Sequence, residues 1–132
     1  MRISSKVVFL GDDLFQARLE YSDVVIHIDK KKKEIKAKGP NSLEMFLSAV
    51  GGCIGAFAER YLRRHDIHFS KLVIEVSADL AKDAPLRLVN IRTVVDTDAD
   101  LGDKKEIFKK FISNCPVHNT LLHTKEMSID IA

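Results

Sequence analysis

Two cysteines, Cys53 and Cys115, are the residues of this chain best suited to covalent chemistry. A thiolate attacks electrophilic oxygen or sulfur, and a second thiol converts the product into a disulfide. The first ten residues contain no apolar run long enough for a signal peptide, so we expect a cytoplasmic protein. Thiols are kept reduced there, which favours free or redox-cycling cysteines over a permanent disulfide.

The local sequence around Cys53 permits two interpretations. Gly51, Gly52 and Gly55 flank it within a predicted helix, where each glycine costs about 1 kcal/mol relative to alanine. The glycines either clear space around the sulfur or allow tight packing of the helix. A buried cysteine with no nearby cation is commonly an inert apolar residue.

The local sequence around Cys115 favours a more reactive thiol. Pro116 suits the first position of a helix, which places Cys115 beside unpaired backbone N–H groups that lower a thiol pKa. Local reasoning therefore selects Cys115 as the readier thiolate. The imidazoles of His118 and His123 could hydrogen-bond a thiolate or complete a zinc site with the cysteines, but no two cysteines are closely spaced, so we expect no metal.

The composition limits the class of protein and its partners. With 132 residues and 45% hydrophobic content, residues 1–132 are predicted to form a single domain. The 21 basic and 19 acidic side chains nearly cancel, so neither a nucleic acid nor a membrane is an expected partner. No segment is expected to reach the length of a membrane span. A small molecule is the expected ligand, and no cofactor is required.

Residues 1–39 are predicted to form a β meander. Short stretches rich in β-branched and aromatic residues alternate with turn formers, and the expected strands are Val7–Leu10, Phe15–Tyr21 and Val24–Asp29. The turns contain Gly11 and the pair Ser22 and Asp23. Lys30 to Lys33 are interpreted as a solvated hairpin tip without a functional role.

A helix is predicted from Ser42 to Arg64 because apolar residues recur there with helical spacing. In its first half the residues on the opposite face are also small or apolar, so other parts of the protein should surround the helix there. A 132-residue monomer would struggle to enclose such a helix, which indicates an intertwined homodimer.

Residues 40–132 are predicted to follow a helix-β-β-helix-β order, giving an α+β fold. Two strands, Phe69–Ala81 and Leu86–Thr97, follow the long helix. Asp103 and Glu106 are predicted to form a capping box that opens a helix from Lys104 to Ser113. A short helix should then run through Leu122, and Met127–Ile131 should form the last strand.

These motifs resemble the osmotically inducible protein C (OsmC) and organic hydroperoxide resistance superfamily, and most closely its OsmC-like branch. Pro40 precedes the run SLEMFLSAVGGC from Ser42 to Cys53, and NCPVHNTL runs from Asn114 to Leu121. Both motifs occur in the family's order and at its separation. The resemblance covers Pro40 to Ala132 best.

The resemblance implies an OsmC-like homodimer whose antiparallel sheets flank buried, cysteine-bearing central helices. In the family's peroxidases the first cysteine, here Cys53, attacks the peroxide, and the second, here Cys115, resolves it. This order conflicts with the local preference for Cys115, and we follow the family. The implied cycle passes through a sulfenic acid and a disulfide that an external thiol or dithiol reduces.

The family's peroxidases also hold the thiolate with an arginine from the N-terminal strands and a glutamate directly after the proline. Arg18 and Glu44 are the candidates here, although Glu44 lies four residues after Pro40. Glu44 fits equally well as the third position of a capping box begun by Asn41. Lys36 or Lys38 could supply the charge without the planar fork of arginine.

Two functions therefore remain open. The first is a cysteine-based hydroperoxide reductase, a peroxidase of the oxidative stress response. Its predicted substrate-binding residues are Phe46, Val50, Phe57, Phe111 and His118. The second is a non-catalytic module that binds a small hydrophobic or sulfur-containing ligand in the dimer cleft, and the missing arginine motif favours it.

Overall fold

The computed structural model describes residues 1–20, 25–29 and 38–132. Over these ranges the chain forms five strands and three α-helices in the order β-β-β-α-β-β-α-α. The strands make two antiparallel sheets, which confirms the predicted α+β class. The chain divides into two compact units, Met1–Phe46 and Leu47–Ala132.

The first unit contains a three-stranded meander. The strands β1 (Ser5–Gly11), β2 (Leu14–Leu19) and β3 (Val25–Asp29) pair in that order. Asp12 and Asp13 reverse the chain between β1 and β2, with φ angles of 51° and 60°. The predicted turn at Ser22 and Asp23, the ends of two predicted strands at Tyr21 and Val24, the lysine run at 30–33 and Lys36 lie outside the described residues.

A buried carboxylate holds the segment that leads from β3 into the long helix. Asp29 is only 1% exposed, and its Oδ2 accepts a hydrogen bond of 2.9 Å from the backbone N–H of Lys38. The backbone N–H of Asp29 donates to the carbonyl of Pro40 over 3.0 Å. Gly39 packs against the carbonyl of His27 so closely that any Cβ would overlap it. This segment therefore requires glycine.

The long helix α1 spans Ser42–Arg64, the range that the sequence predicts. A reciprocal capping box begins it: the N–H of Glu44 donates to Asn41 Oδ1 over 2.9 Å, and the N–H of Asn41 donates to Glu44 Oε1 over 3.5 Å. At the other end, Arg63 and Arg64 lie where the helix dipole is negative. The cap and the charges agree with the helical period, which is why the bounds could be predicted.

A two-stranded antiparallel sheet packs against α1 in the second unit. It contains β4 (Leu72–Leu80) and β5 (Leu88–Thr97). A Cβ on Gly51 would lie 3.1 Å from Val76 Cγ2, and one on Gly55 would lie 3.2 Å from Ile74 Cγ1. These two glycines therefore serve tight helix packing. Gly52 differs, because no described atom lies within 4 Å of its Cβ position.

The two remaining helices are α2 (Lys105–Ser113), which follows a 3₁₀ turn at Gly102–Lys104, and α3 (Pro116–His123). The predicted capping box of Asp103 and Glu106 is wrong, because neither the turn nor α2 has a side-chain cap. Asp100 Oδ1 instead accepts the N–H of Gly102, the first residue of the 3₁₀ turn, over 3.1 Å.

The predicted C-terminal strand is also wrong for the chain as described. Met127 to Ile131 has no regular secondary structure, and Met127, Ile129 and Ile131 are each more than nine-tenths exposed. Alternation of apolar residues is a pattern that suits a strand, but a strand also needs an adjacent sheet edge to supply its hydrogen bonds.

Among the described helices, α1 alone is long and apolar enough to cross a membrane by length and composition. The expectation that no segment reaches the length of a span is wrong on those two criteria. The core helix of a soluble protein can have the same length and composition. Gly51 and Gly55 of this helix pack on β4.

Candidate functional site

The second unit brings Cys53 and Cys115 into contact. Cys53 lies on α1 and is partly exposed, whereas Cys115 caps the N-terminus of α3 and is 0% exposed. Both are free thiols, and the two side chains are close enough to hydrogen-bond. Because the two residues are far apart in sequence, only the packing of α1 against the C-terminal helices can produce this contact.

The backbone around Cys115 has the geometry expected of a helix cap. Pro116 takes the first helical position, and the N–H of His118 donates to Cys115 Sγ over 3.4 Å. Burial nevertheless raises the pKa of the Cys115 thiol above its ordinary value of 9.0, and the neighbouring Cys53 raises it further. The N–H of His118 acts in the opposite direction but does not prevail. The expectation that this position lowers the pKa of the Cys115 thiol is therefore wrong.

Cys53 is the more exposed of the two cysteines. Gly52 precedes Cys53 in the helix, and the space around Gly52 is open: no neighbouring group among the described residues lies within 4 Å of the position that a Cβ would take. In the described part of the chain, no lysine or arginine is among the groups that perturb the Cys115 thiol.

Three of the predicted substrate-binding residues are aromatic, and two of these contact each other. The ring centroids of Phe57 and Phe111 are 5.6 Å apart, and the Phe111 ring lies 5.4 Å from that of Tyr61. These rings pack α2 against α1, a contact worth about 1 kcal/mol per pair beyond the buried area. Phe46 is the last residue of the first unit.

Val50 and His118, the other two predicted substrate-binding residues, line one cavity of about 310 Å³ in the second unit. Its other apolar lining residues, among them Ile54 on α1, Ile91 on β5 and Ile112 on α2, were not predicted from the sequence to bind substrate. The alternation of side chains along β5 could have indicated them, because every second residue faces the same side of a strand. Ile91, Thr93 and Val95 share one face of β5, and all three line the cavity.

His118 contributes an unusual polar atom. Its Nδ1 is buried and has no hydrogen-bond partner within the described ranges. Leaving a buried polar atom unpaired costs about 1–3 kcal/mol. Such an atom in a native structure therefore calls for an explanation.

The two predicted supporting residues, Arg18 and Glu44, belong to the first unit. Arg18 is exposed on β2, the middle strand of the meander, where it pairs with Lys6 on β1 and Val25 on β3. Glu44 closes the capping box of α1 with Asn41. Lys38 is exposed beside Asp29. Over residues 1–20, 25–29 and 38–132, no three His, Cys, Asp or Glu side chains are grouped so that they could hold a metal ion.

Comparison with known proteins places the chain among relatives of similar length. The model of the family described as OsmC-like protein matches residues 35–130. A protein named hydroperoxide reductase from Mycoplasma genitalium is 29% identical over 112 residues, which are 81% of this chain and 79% of that protein.

Solved structures show the same fold. The crystal structure of an OsmC-like protein from Mycoplasma pneumoniae is similar with a TM-score of 0.82 and 23% identity, over 93% of this chain and 89% of that one. The organic hydroperoxide resistance protein OhrB of Bacillus subtilis is similar with a TM-score of 0.64 and 19% identity, over 91% of each chain. The family match spans most of the sequence and includes both cysteine motifs, so this chain belongs to the OsmC-like protein family.

Proposed function

We propose that this protein reduces hydroperoxides with Cys53 as the attacking thiolate and Cys115 as the resolving thiol. The contact between the two thiols is the observation that carries the proposal. A relative over most of the chain is named hydroperoxide reductase, which supports the same chemistry. The exposure of the two residues supports this order, because Cys53 is partly exposed whereas Cys115 is fully buried.

The proposed cycle has three steps. The Cys53 thiolate attacks the outer oxygen of the hydroperoxide, the O–O bond breaks, and the alcohol leaves after taking up a proton. The resulting sulfenic acid condenses with the Cys115 thiol to a disulfide and releases water. An external thiol or dithiol then supplies two electrons and two protons, which restores both thiols. No cofactor takes part in these steps.

Two supporting features belong to the same proposal. Arg18 is the candidate cation for the Cys53 thiolate, and Glu44 is the candidate carboxylate that orients it. The active form is a homodimer in the cytoplasm, where the thiol pool keeps both cysteines reduced. Exposed apolar residues on β1, including Val7, Phe9 and Leu10, favour an interface with a second copy.

The test is turnover of cumene hydroperoxide by the reduced protein with dithiothreitol as electron donor. The wild-type protein should consume peroxide and, after one equivalent without reductant, lose two hydrogens per chain as the disulfide forms. Cys53→Ser should lose turnover. Cys115→Ser, the matched control, should gain one oxygen on Cys53 that dimedone traps. Unchanged turnover by Cys53→Ser would remove this residue from the mechanism.

The supporting residues need a separate measurement. Arg18→Lys keeps the charge and removes the planar fork, so the rate of the first oxidation should fall while the rate of disulfide reduction stays the same. Arg2→Lys, in the same unit, is the control and should react as the wild-type protein does. Equal oxidation rates in all three proteins would reject the role of Arg18.

A further inference from the structure

The cavity of about 310 Å³ in the second unit lies beside the thiol pair without containing it, since neither cysteine is among its lining residues. Its interior is apolar, with Ile54, Ile91, Ile112 and Leu121 among the walls. Ligand pockets commonly measure about 300–1,000 Å³ and combine apolar walls with a few polar groups. This cavity is at the lower end of that range, which suits a small ligand.

A second, more open pocket of about 390 Å³, lined mostly by polar and charged residues, adjoins the first. The two share Lys109, Ser113, His118 and Leu122 as lining residues. The second cavity adds Glu106 and Lys110, so its charged side chains are two lysines and one glutamate. The apolar space therefore continues into a space with an excess of positive charge, which favours an anion there.

His118 lies at the junction of the two cavities, because it lines both of them. Its buried Nδ1 has no hydrogen-bond partner in the part of the chain that the structure describes. Buried polar atoms of native proteins are nearly always paired. The residue as a whole is partly exposed, so a turn of the imidazole would bring Nδ1 to the junction, where a polar group of a ligand would be its missing partner.

We propose that these adjoining cavities bind a small amphipathic organic acid. The apolar body fills the cavity between β5 and the helices, and the carboxylate lies against the His118 imidazole near Lys109. The proposal goes beyond the redox cycle and does not depend on it, since the ligand need not be a peroxide and touches neither sulfur.

The test is calorimetric titration of the full-length, reduced protein with sodium octanoate. Octan-1-ol and octylamine serve as probes with the same apolar chain and a different head. Octanoate should bind at least tenfold more tightly than either. Affinity should rise from butanoate to octanoate by up to about fourfold per added methylene, until the apolar cavity is full.

Variants locate the head group. His118→Ala should weaken octanoate binding at least tenfold and octanol binding less than threefold. Lys109→Gln, at an exposed position where the fold tolerates change, should weaken octanoate binding about twofold to fivefold. Lys105→Gln is the control, because Lys105 lies on the same helix and lines neither cavity, and its affinity should not change.

The site should be present without the redox chemistry, so Cys53→Ser should bind octanoate with wild-type affinity even if the protein proves not to be a peroxidase. Absence of saturable octanoate binding would overturn the proposal. Equal affinities for octanoate and octanol would do the same, as would unchanged octanoate binding in both His118→Ala and Lys109→Gln. Loss of octanoate binding in Cys53→Ser would show that the ligand binds at the thiol pair, and this result would also reject the proposed site.

Discussion

Replacing Gly51 by alanine should push α1 away from β4. The new Cβ would lie 3.1 Å from Val76 Cγ2 and 3.8 Å from Ile74 Cγ2. Carbon atoms in favourable contact are about 3.5–4.0 Å apart, so the helix and the strand would have to separate by roughly 0.5 Å. Cys53 follows two positions later on the same helix, and its contact with Cys115 would be displaced too.

Two opposing terms set the size of the effect. Alanine is about 1 kcal/mol more favourable than glycine inside a helix. Forcing a methyl group into a packed interior costs about 1–3 kcal/mol. The free energy of unfolding of Gly51→Ala should therefore fall by about 1 kcal/mol. Gly52→Ala adds the same methyl where no described atom lies within 4 Å, so it should keep the whole gain and be more stable by about 1 kcal/mol.

Urea unfolding of the reduced proteins at one protein concentration measures both changes, and the two variants should differ by about 2 kcal/mol. Disulfide formation after one equivalent of hydroperoxide provides the functional measurement and should be slower in Gly51→Ala. If Gly51→Ala were as stable as Gly52→Ala, the close packing of α1 on β4 could not be the reason for the glycine. Destabilisation of Gly52→Ala that grows on dilution would place a second copy against that position.

Three further predictions concern ionisation and capping. Burial raises the pKa of the Cys115 thiol in the folded protein, so this thiol ionises at lower pH in the unfolded chain. The free energy of unfolding should therefore fall by up to about 1.4 kcal/mol per pH unit above pH ~9. Urea unfolding of Cys115→Ala should not show this slope. Asn41→Ala should lower the free energy of unfolding by about 1 kcal/mol, whereas Glu44→Gln, which can still complete the capping box, should change it by less than about 0.5 kcal/mol. Hydrogen bonds from Ser70 and from the backbone N–H of Lys71 lower the pKa of Asp98 from 3.8 to about 2. The protein should therefore lose stability as the pH falls between those two values. Thermal melts should show a smaller loss for Asp98→Asn.

The features of α1 that the sequence predicts are local ones. The apolar period, the Asn41 and Glu44 cap and the terminal arginines all lie within the helix or next to it, and the observed bounds equal the predicted ones. The capping box proposed for Asp103 and Glu106 uses the same kind of pattern and is wrong. There the chain enters α2 through a 3₁₀ turn, so the residue at the helix start is Lys104, which carries no capping oxygen.

Features that depend on remote partners could not be predicted from local sequence. The period-2 pattern of Met127 to Ile131 indicates a strand, but a strand needs a neighbour that no local pattern reveals. The contact between Phe57 and Phe111 is of the same kind, because the two residues lie on different helices and only the fold brings their rings together. Each residue was correctly recognised as apolar, and only the fold decides what an apolar side chain faces.

Cys115 shows how a correct local geometry can give the wrong chemical conclusion. The cap at Pro116 and the N–H bond from His118 are both present, and each favours a thiolate. Full burial opposes them and is the largest influence on the pKa. Under the proposed cycle this balance is useful, because a protonated, inaccessible Cys115 does not compete with Cys53 for peroxide. Its sulfur needs to become a nucleophile only after Cys53 is oxidised, when the sulfenic acid is already in contact with it and the attack requires no diffusion.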